Sequence, residues 1–286
     1  MSASGLGNPN TASELLFERY LTENCYSQWT HEEPAPGKRK TPDYSLRFGG
    51  QTFHFEVKEF DNDAPLADGE GEFYDPYRPL REKINQAVRQ FKDYKAFPCS
   101  VVLADPNNTF VDIEAPEIVI GTMLGNIGYE MPIGANPGPQ NQPRRVFTRG
   151  GKMVDAKRQR PQNTTISSIV VLSEYHVRLR RLQIEFGKLE RQLGRKLTRT
   201  ECLTVIESVP RSDNDEVLRV VVHENPYARI PFNREMCHGP FDERWGTDSG
   251  MIRRVFVGDR LAAFETALAK CDLRSPMQRL MDRQRK

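Results

Sequence analysis

The chain has 286 residues, of which 28% are charged and 37% are hydrophobic, and its formal net charge is only +2. This composition is typical of a soluble globular protein, and the length is enough for one large or two small domains. A net charge so near zero gives no global signal of nucleic-acid binding, so any such signal has to be local. The sequence has no apolar run of membrane-spanning length, and its first residues do not show the basic and apolar regions of a signal peptide, so we expect neither a membrane span nor a secretory leader. The scattered cysteines are typical of a reducing compartment, so we expect a cytoplasmic protein without a membrane partner.

An amphipathic helix is predicted for residues 11–24. The pattern Thr11-Ala12-Ser13-Glu14 is typical of a capping box, in which the glutamate accepts a hydrogen bond from the amide that precedes the helix. Glu14 and Glu18 are one turn apart, so their carboxylates project from the same helical face. Apolar side chains are available to face a core, namely Leu15, Leu16, Phe17, Tyr20 and Leu21.

A β-hairpin is predicted next, with strands at residues 44–48 and 51–60 joined by Gly49-Gly50. Successive side chains of a strand point to opposite faces, so the second strand has a polar face with His54, Glu56 and Lys58. Its other face is apolar and carries Phe53, Phe55 and Val57. We expect the apolar face to pack into a core and the polar face to open onto a site.

Asp43 adds a second carboxylate to this site, because it follows a proline turn directly before the hairpin. Two carboxylates and an ammonium group in one place favour a divalent cation and a water nucleophile. Of the remaining polar residues, Glu59 is predicted to be structural and His54 to be a partly exposed packing residue. A role for His54 in positioning the substrate or in moving a proton is the alternative.

A helix at about residues 79–95 and a buried strand at Cys99–Leu103 are predicted after the hairpin, and they complete a first block at residues 10–103. Residues 104–163 are predicted to be an insertion. It contains a short helix at residues 115–124 and a partly flexible segment at residues 134–143, which is rich in glycine and proline.

Residues 164–286 are predicted to contain the remainder of the core and a C-terminal extension. A strand at residues 163–172 is expected to join the strand at residues 99–103. The other predicted elements are helices at residues 177–195, 199–209 and 258–271 and a strand at residues 216–223. Residues 223–245 are polar, aromatic and rich in proline, which favours an ordered loop with a turn or packing role.

The motif Pro42-Asp43 with Glu56-Val57-Lys58, in this order of elements, resembles the PD-(D/E)XK nuclease superfamily. The resemblance covers the first block of the chain well and is weaker beyond it. It implies an α/β, restriction-endonuclease-like three-layer core with a central mixed β-sheet flanked by helices. It also implies that Asp43, Glu56 and the Val57 carbonyl bind Mg²⁺, for which Mn²⁺ can substitute, and that Lys58 orients the attacking water.

The resemblance extends to supporting residues. Gln90-Phe91-Lys92-Asp93-Tyr94 is similar to the Gln-hydrophobic-x-x-Tyr motif of RecB-type members, which implies that Gln90 and Tyr94 reach Lys58 or a phosphate. The alternative is a surface glutamine beside a half-buried tyrosine. Relatives commonly carry a glutamate on the first helix that leans toward the metal. Glu18 is favoured over Glu14 for this role, because the capping box competes for Glu14.

The implied function is metal-dependent endonuclease or exonuclease cleavage of DNA, in restriction, antiviral defence or repair. The basic run Lys38-Arg39-Lys40 directly precedes Asp43 and is predicted to contact the nucleic-acid backbone. A homodimer or a partner subunit is a further expectation. Two alternatives stay open: a ribonuclease or toxin nuclease, and a catalytically inactive nucleic-acid-binding or assembly subunit with the same fold.

Overall fold

The computed structural model of the chain describes residues 10–32, 40–60, 75–107, 113–130, 144–148, 150–155, 160–212, 215–248 and 251–269. The chain divides into two compact units. The first is drawn from Met1–Ser173, Val220–Cys237 and Glu243–Phe256, and the second from Glu174–Arg219, His238–Asp242 and Val257–Lys286. The predicted flexible segment at residues 134–143 lies outside the described residues.

The described helices are α1 (Ala12–Glu23), α2 (Arg78–Gln90), α3 (Pro116–Leu124), α4 (Val177–Leu193), α5 (Arg199–Ser208) and α6 (Asp259–Ala269). The strands in chain order are β1 (Trp29–His31), β2 (Tyr44–Phe48), β3 (Gln51–Glu59), β4 (Cys99–Ala104), β5 (Ile127–Glu130), β6 (Arg144–Phe147), β7 (Val154–Asp155), β8 (Arg160–Pro161), β9 (Ile166–His176), β10 (Glu216–Glu224), β11 (Glu243–Asp248) and β12 (Met251–Val257).

The architecture is α/β, with a large mixed central sheet flanked by helices, as predicted. In the described part of the chain this sheet has eight strands in the order β1-β2-β3-β4-β9-β10-β11-β12. The pairs β1–β2 and β2–β3 are antiparallel, whereas β3–β4, β4–β9 and β10–β11 are parallel. Strands β5 and β6 form a separate antiparallel pair, as do β7 and β8.

The turn between β2 and β3 is the two-glycine connection that the sequence predicts. Gly49 and Gly50 have φ angles of 56° and 77°, which lie in the left-handed region that glycine adopts without steric cost. Positive φ at both central residues is the requirement of a tight turn that matches strand twist. The turn sets the register of the hairpin, in which Phe48 is paired with Gln51 and Tyr44 with Phe55.

We expect Gly50→Ala to lower the free energy of unfolding by about 1–2 kcal/mol, because the new Cβ disfavours the left-handed conformation. Apart from Gly50 and its two chain neighbours, no heavy atom of the described residues lies within 4 Å of a Cβ built at Gly50, so the cost comes from the backbone conformation. Urea denaturation followed by circular dichroism measures it. Gly50→Asn is the matched control and is expected to lose less stability, because asparagine tolerates this conformation better. Equal losses in the two variants would contradict this explanation.

The two faces of β3 pack against different layers. Phe55 contacts Phe17 of α1, with ring centroids 5.3 Å apart. On the other face, Glu56 and Lys58 pair with Val101 and Leu103 of β4. These two β4 residues belong to a buried cluster that also contains residues of α2, α3 and β9, among them Leu80, Ile84, Ala87, Val119, Met123 and Ile169. The alternation of β3 side chains is as predicted, but helices cover the face that was expected to open.

Most predicted elements are present within a few residues of their predicted bounds. The predicted C-terminal boundary of the helix at residues 79–95 is wrong. Helix α2 ends at Gln90, and a 3₁₀ turn follows at Phe91–Asp93. The predicted C-terminal boundary of the loop at residues 223–245 is also wrong, because β11 begins at Glu243. No strand was predicted for β1, β5, β6, β7, β8, β11 or β12. Three-residue β1 carries no periodic signal and forms by pairing with β2.

The second unit has its own small apolar clusters. One contains Leu182 of α4 together with Val205 and Val209 at the end of α5. A capping box of Thr198 and Glu201 begins α5. None of the helices in the described residues has the length and apolar character required to cross a bilayer.

Candidate active site

Asp43 lies beside β3 because of the hairpin register. Tyr44 pairs with Phe55 in antiparallel β2–β3, so the preceding Asp43 lies next to Glu56. Asp43 Oδ2 accepts a hydrogen bond from the Val57 amide at 2.7 Å. This bond holds the carboxylate against the strand that carries Glu56 and Lys58.

Glu56 is the most buried group of the site, with 0% of its side chain exposed. Its Oε1 accepts a hydrogen bond from Lys58 Nζ at 2.6 Å, and Lys58 is 18% exposed. Glu56 Oε2 is buried and has no hydrogen-bond partner among the described residues. Burial, followed by the charge of Asp43, raises the Glu56 pKa to about 7, although Lys58 and the Gln90 amide oppose the rise.

Asp43 also has a raised pKa, and burial is the largest cause. The charges of Glu14 and Glu32 add to the rise, while Lys58 and the Val57 amide oppose it. The charge of Asp43 also makes ionisation of Glu56 less favourable, with one ammonium group beside the two carboxylates. An additional cation would relieve this repulsion.

Glu14 and Glu18 are both engaged in other contacts. Glu14 forms the predicted capping box with Thr11, whose amide donates to Glu14 Oε2 at 2.6 Å. Glu18 Oε1 accepts from the Tyr44 hydroxyl at 3.0 Å and from Asn10 Nδ2 at 2.8 Å. Burial and this bond raise the pKa of Tyr44, which keeps the phenol protonated as a donor. Of these two glutamates, Glu14 is the one whose charge raises the pKa of Asp43.

Gln90 and Tyr94 approach different parts of the site, because the 3₁₀ turn separates them. The Gln90 amide favours the charged form of Glu56, and its buried Oε1 has no hydrogen-bond partner among the described residues. The Tyr94 hydroxyl donates to the Lys40 carbonyl at 2.8 Å. Tyr94 is fully buried, in contrast to the half-buried alternative considered from the sequence.

We expect Tyr94→Phe to destabilise the protein by about 1 kcal/mol, because the variant keeps the ring and removes the hydrogen bond to the Lys40 carbonyl. Thermal unfolding measures this change. Tyr227→Phe is the control, since Tyr227 is 38% exposed. An unchanged melting temperature for Tyr94→Phe would show that the bond contributes nothing to holding the segment before Asp43.

His54 is buried, so the prediction of a partly exposed residue is wrong. Its Nδ1 lies 2.9 Å from the Ser45 hydroxyl, and its ring packs against Tyr94 and Phe97 with centroids 4.6 and 4.9 Å away. Ser45 had no predicted role, yet the two-glycine turn implies its pairing with His54. Glu59 has the predicted structural role, accepting the Ser13 amide at 2.9 Å.

Only part of the basic run that is predicted to contact nucleic acid lies within the described residues. Lys38 and Arg39 lie outside the described residues, whereas Lys40 is described and exposed. Because Tyr94 binds its carbonyl, Lys40 is held at the start of the segment that leads to Asp43.

Polar side chains of residues 223–245 make structural contacts in the described part of the chain. Asn225 Nδ2 donates to the Ile166 carbonyl at 2.7 Å. Arg244 is 1% exposed, lies 3.2 Å from Glu224 Oε1 and donates to the Met236 carbonyl. These bonds fix the loop against its own unit and leave the Arg244 charge compensated.

The described residues contain no group of three or more histidine, cysteine, aspartate or glutamate side chains that could hold a metal ion. The donor set at β3 is therefore two carboxylates, Asp43 and Glu56, with the Val57 carbonyl as the predicted third oxygen. The unpartnered Glu56 Oε2 and the raised carboxylate pKa values fit a hard divalent cation, which prefers oxygen ligands.

Comparisons of the chain with protein-family models, with curated proteins and with solved structures found no match. The geometry of the residues themselves is therefore the basis on which a function is proposed.

Proposed function

We propose that the chain is a divalent-metal-dependent nuclease with a restriction-endonuclease-like fold, which hydrolyses phosphodiester bonds of DNA. The observation that carries the proposal is the convergence of Asp43, Glu56 and Lys58. A 2.7 Å bond holds Asp43 to β3, and a 2.6 Å bond joins Lys58 to Glu56. A carboxylate pair with a raised pKa and an adjacent ammonium group is the combination expected at a catalytic site.

Asp43, Glu56 and the Val57 carbonyl would hold Mg²⁺, with Mn²⁺ as a substitute. When bound, the cation supplies a water of lowered pKa and neutralises charge on the scissile phosphate. Lys58 Nζ lies at the partly exposed edge of the site, where it orients the attacking water and stabilises developing negative charge. Gln90 helps to keep Glu56 ionised. Tyr94 holds the segment before Asp43 through the Lys40 carbonyl.

Incubation of the purified protein with plasmid DNA, linear DNA and RNA, with Mg²⁺ or with EDTA, tests the proposal. Cleavage of DNA that EDTA abolishes is the expected result, and cleavage of plasmid distinguishes an endonuclease from an exonuclease. Cleavage of RNA alone would point to a ribonuclease or toxin. Binding without cleavage under every condition would point to an inactive binding or assembly subunit and would overturn the enzymatic proposal.

A further inference from the structure

A second polar cluster lies in the first unit, at the beginning of α2. Arg81 Nη1 donates to Asp75 Oδ2 at 2.8 Å, and Arg81 Nη2 donates to Asn126 Oδ1. These bonds fix a guanidinium group whose side chain is only 17% exposed. The backbone of Gly150 passes directly beside it, because a Cβ built on Gly150 would lie 2.8 Å from Arg81 Nη2.

The Gly150-Gly151-Lys152 segment is held rigidly at this position. Gly150 has a φ of 102°, and a Cβ on Gly151 would lie 2.5 Å from the backbone of Leu124 in α3, so other residues would not fit here without strain. The Lys152 amide donates to the Thr122 carbonyl at 3.0 Å. The Lys152 carbonyl accepts from the side chain of Asn163 at 2.6 Å.

One donor of this cluster is left without an acceptor. Within the described residues, the buried Nε of Arg81 has no hydrogen-bond partner. Buried polar groups are nearly always paired, so this N–H is an exception that a ligand would explain. Burial and the neighbouring charge of Arg81 lower the pKa of Lys152. Asp75, the acid of the cluster, is already engaged by Arg81 and by the Tyr77 amide.

We propose that Arg81, Asn126 and the Gly150-Gly151-Lys152 segment form a binding site for a phosphoryl anion. A fixed guanidinium with an unpartnered N–H and a half-buried ammonium are groups that recognise phosphate oxygens. If the proposed nuclease function is correct, on which this identification of the ligand rests, the anion is a backbone phosphate of the bound nucleic acid. A free phosphate group is the other source with the same chemistry.

This anion site is separate from the candidate active site. Arg81 and Gln90 are nine residues apart on α2, which corresponds to about 14 Å along the helix axis and to opposite sides of the helix. The site can therefore contribute to binding without contacting the scissile phosphate. Its loss is expected to change affinity for nucleic acid and not the chemistry of cleavage.

Salt-dependent binding of a short DNA duplex in EDTA tests the proposal without cleavage. Each phosphate contact contributes about 0.9 to the slope of log affinity against log salt concentration. We expect Lys152→Gln to reduce the slope by about 0.9, which corresponds to about eightfold weaker binding at 0.1 M salt. Lys152→Arg keeps the charge and is expected to retain the slope. Lys188→Gln is the control, because it removes an exposed lysine of the second unit.

Thermal unfolding with inorganic phosphate provides a second arm. A phosphate-dependent stabilisation that Lys152→Gln loses, with unchanged DNA slopes, would support the site with a free phosphate group as its ligand. Unchanged DNA slopes together with unchanged phosphate stabilisation in Lys152→Gln would overturn the proposal. If the wild-type protein binds no DNA, the proposed nuclease function fails, while the phosphate arm still decides whether the anion site exists.

Discussion

Lys58→Ala is expected to slow DNA cleavage by about 10²–10³-fold, because it removes the ammonium group that stabilises negative charge at the site. The contact that identifies this group is the 2.6 Å bond between Lys58 Nζ and Glu56 Oε1. Lys58 also lowers the pKa of Glu56, so its loss makes ionisation of Glu56 harder at neutral pH. Single-turnover cleavage is therefore measured at about pH 8.5, where Glu56 ionises more fully and the loss of the ammonium group is the main effect on the rate.

Substrate binding by Lys58→Ala is expected to change little when it is measured in EDTA, since one partly exposed lysine contributes modestly to affinity. Lys188→Ala is the matched control and is expected to cleave at the wild-type rate. A Lys58→Ala protein with full activity would defeat the proposed role of this residue. If Lys58→Ala does not bind DNA and its circular dichroism spectrum shows that it is unfolded, Lys58→Gln is tested in its place.

Glu56→Gln is expected to have opposite effects on stability and on metal binding. The Glu56 pKa of about 7 in the folded protein is above the ordinary value of 4.5. Between these values the folded state binds more protons than the unfolded state, so stability falls as the pH rises toward 7. The amide of the variant carries no charge and avoids this cost. We therefore expect Glu56→Gln to be more stable by about 1–3 kcal/mol above pH 7 and to show little gain near pH 4.

Thermal unfolding in EDTA across this pH range measures the gain in stability, with Glu82→Gln as the control, because Glu82 is 60% exposed. Addition of Mg²⁺ or Mn²⁺ is expected to stabilise the wild-type protein at pH 8 and to have little effect on Glu56→Gln. The metal must displace the proton of Glu56, so its effect on the wild-type protein should weaken below pH 7. Equal stabilisation of both proteins by the metal would place the cation elsewhere.

Much of the hairpin that carries the candidate site could be predicted from the sequence. Gly49-Gly50 specifies a tight turn, and the turn specifies which residues face each other across β2 and β3. The neighbourhood of Asp43 and Glu56 and the shared face of Glu56 and Lys58 follow from these local rules. The capping box of α1 was predictable for the same reason, since its partners are three residues apart.

Contacts between distant parts of the chain could not be predicted in this way. The prediction that α2 continues to Lys95 follows its apolar spacing, but the helix changes to a 3₁₀ turn that brings the Tyr94 hydroxyl to the Lys40 carbonyl, 54 residues earlier. Likewise, the alternation of residues in β3 predicts its polar face, but the expectation that this face is open was wrong, because the helices that cover it come from other parts of the chain. Nor does the sequence indicate that Gly150 lies beside Arg81, since these residues are far apart in the chain.

The amino-acid sequence by itself determined the order of the elements, the turn of the hairpin and the alternation that aligns Glu56 with Lys58, because these depend on backbone preferences over a few residues. The tertiary structure alone decided that Glu56 is buried under the α2 layer and ionises near pH 7, since desolvation depends on side chains brought from elsewhere in the chain.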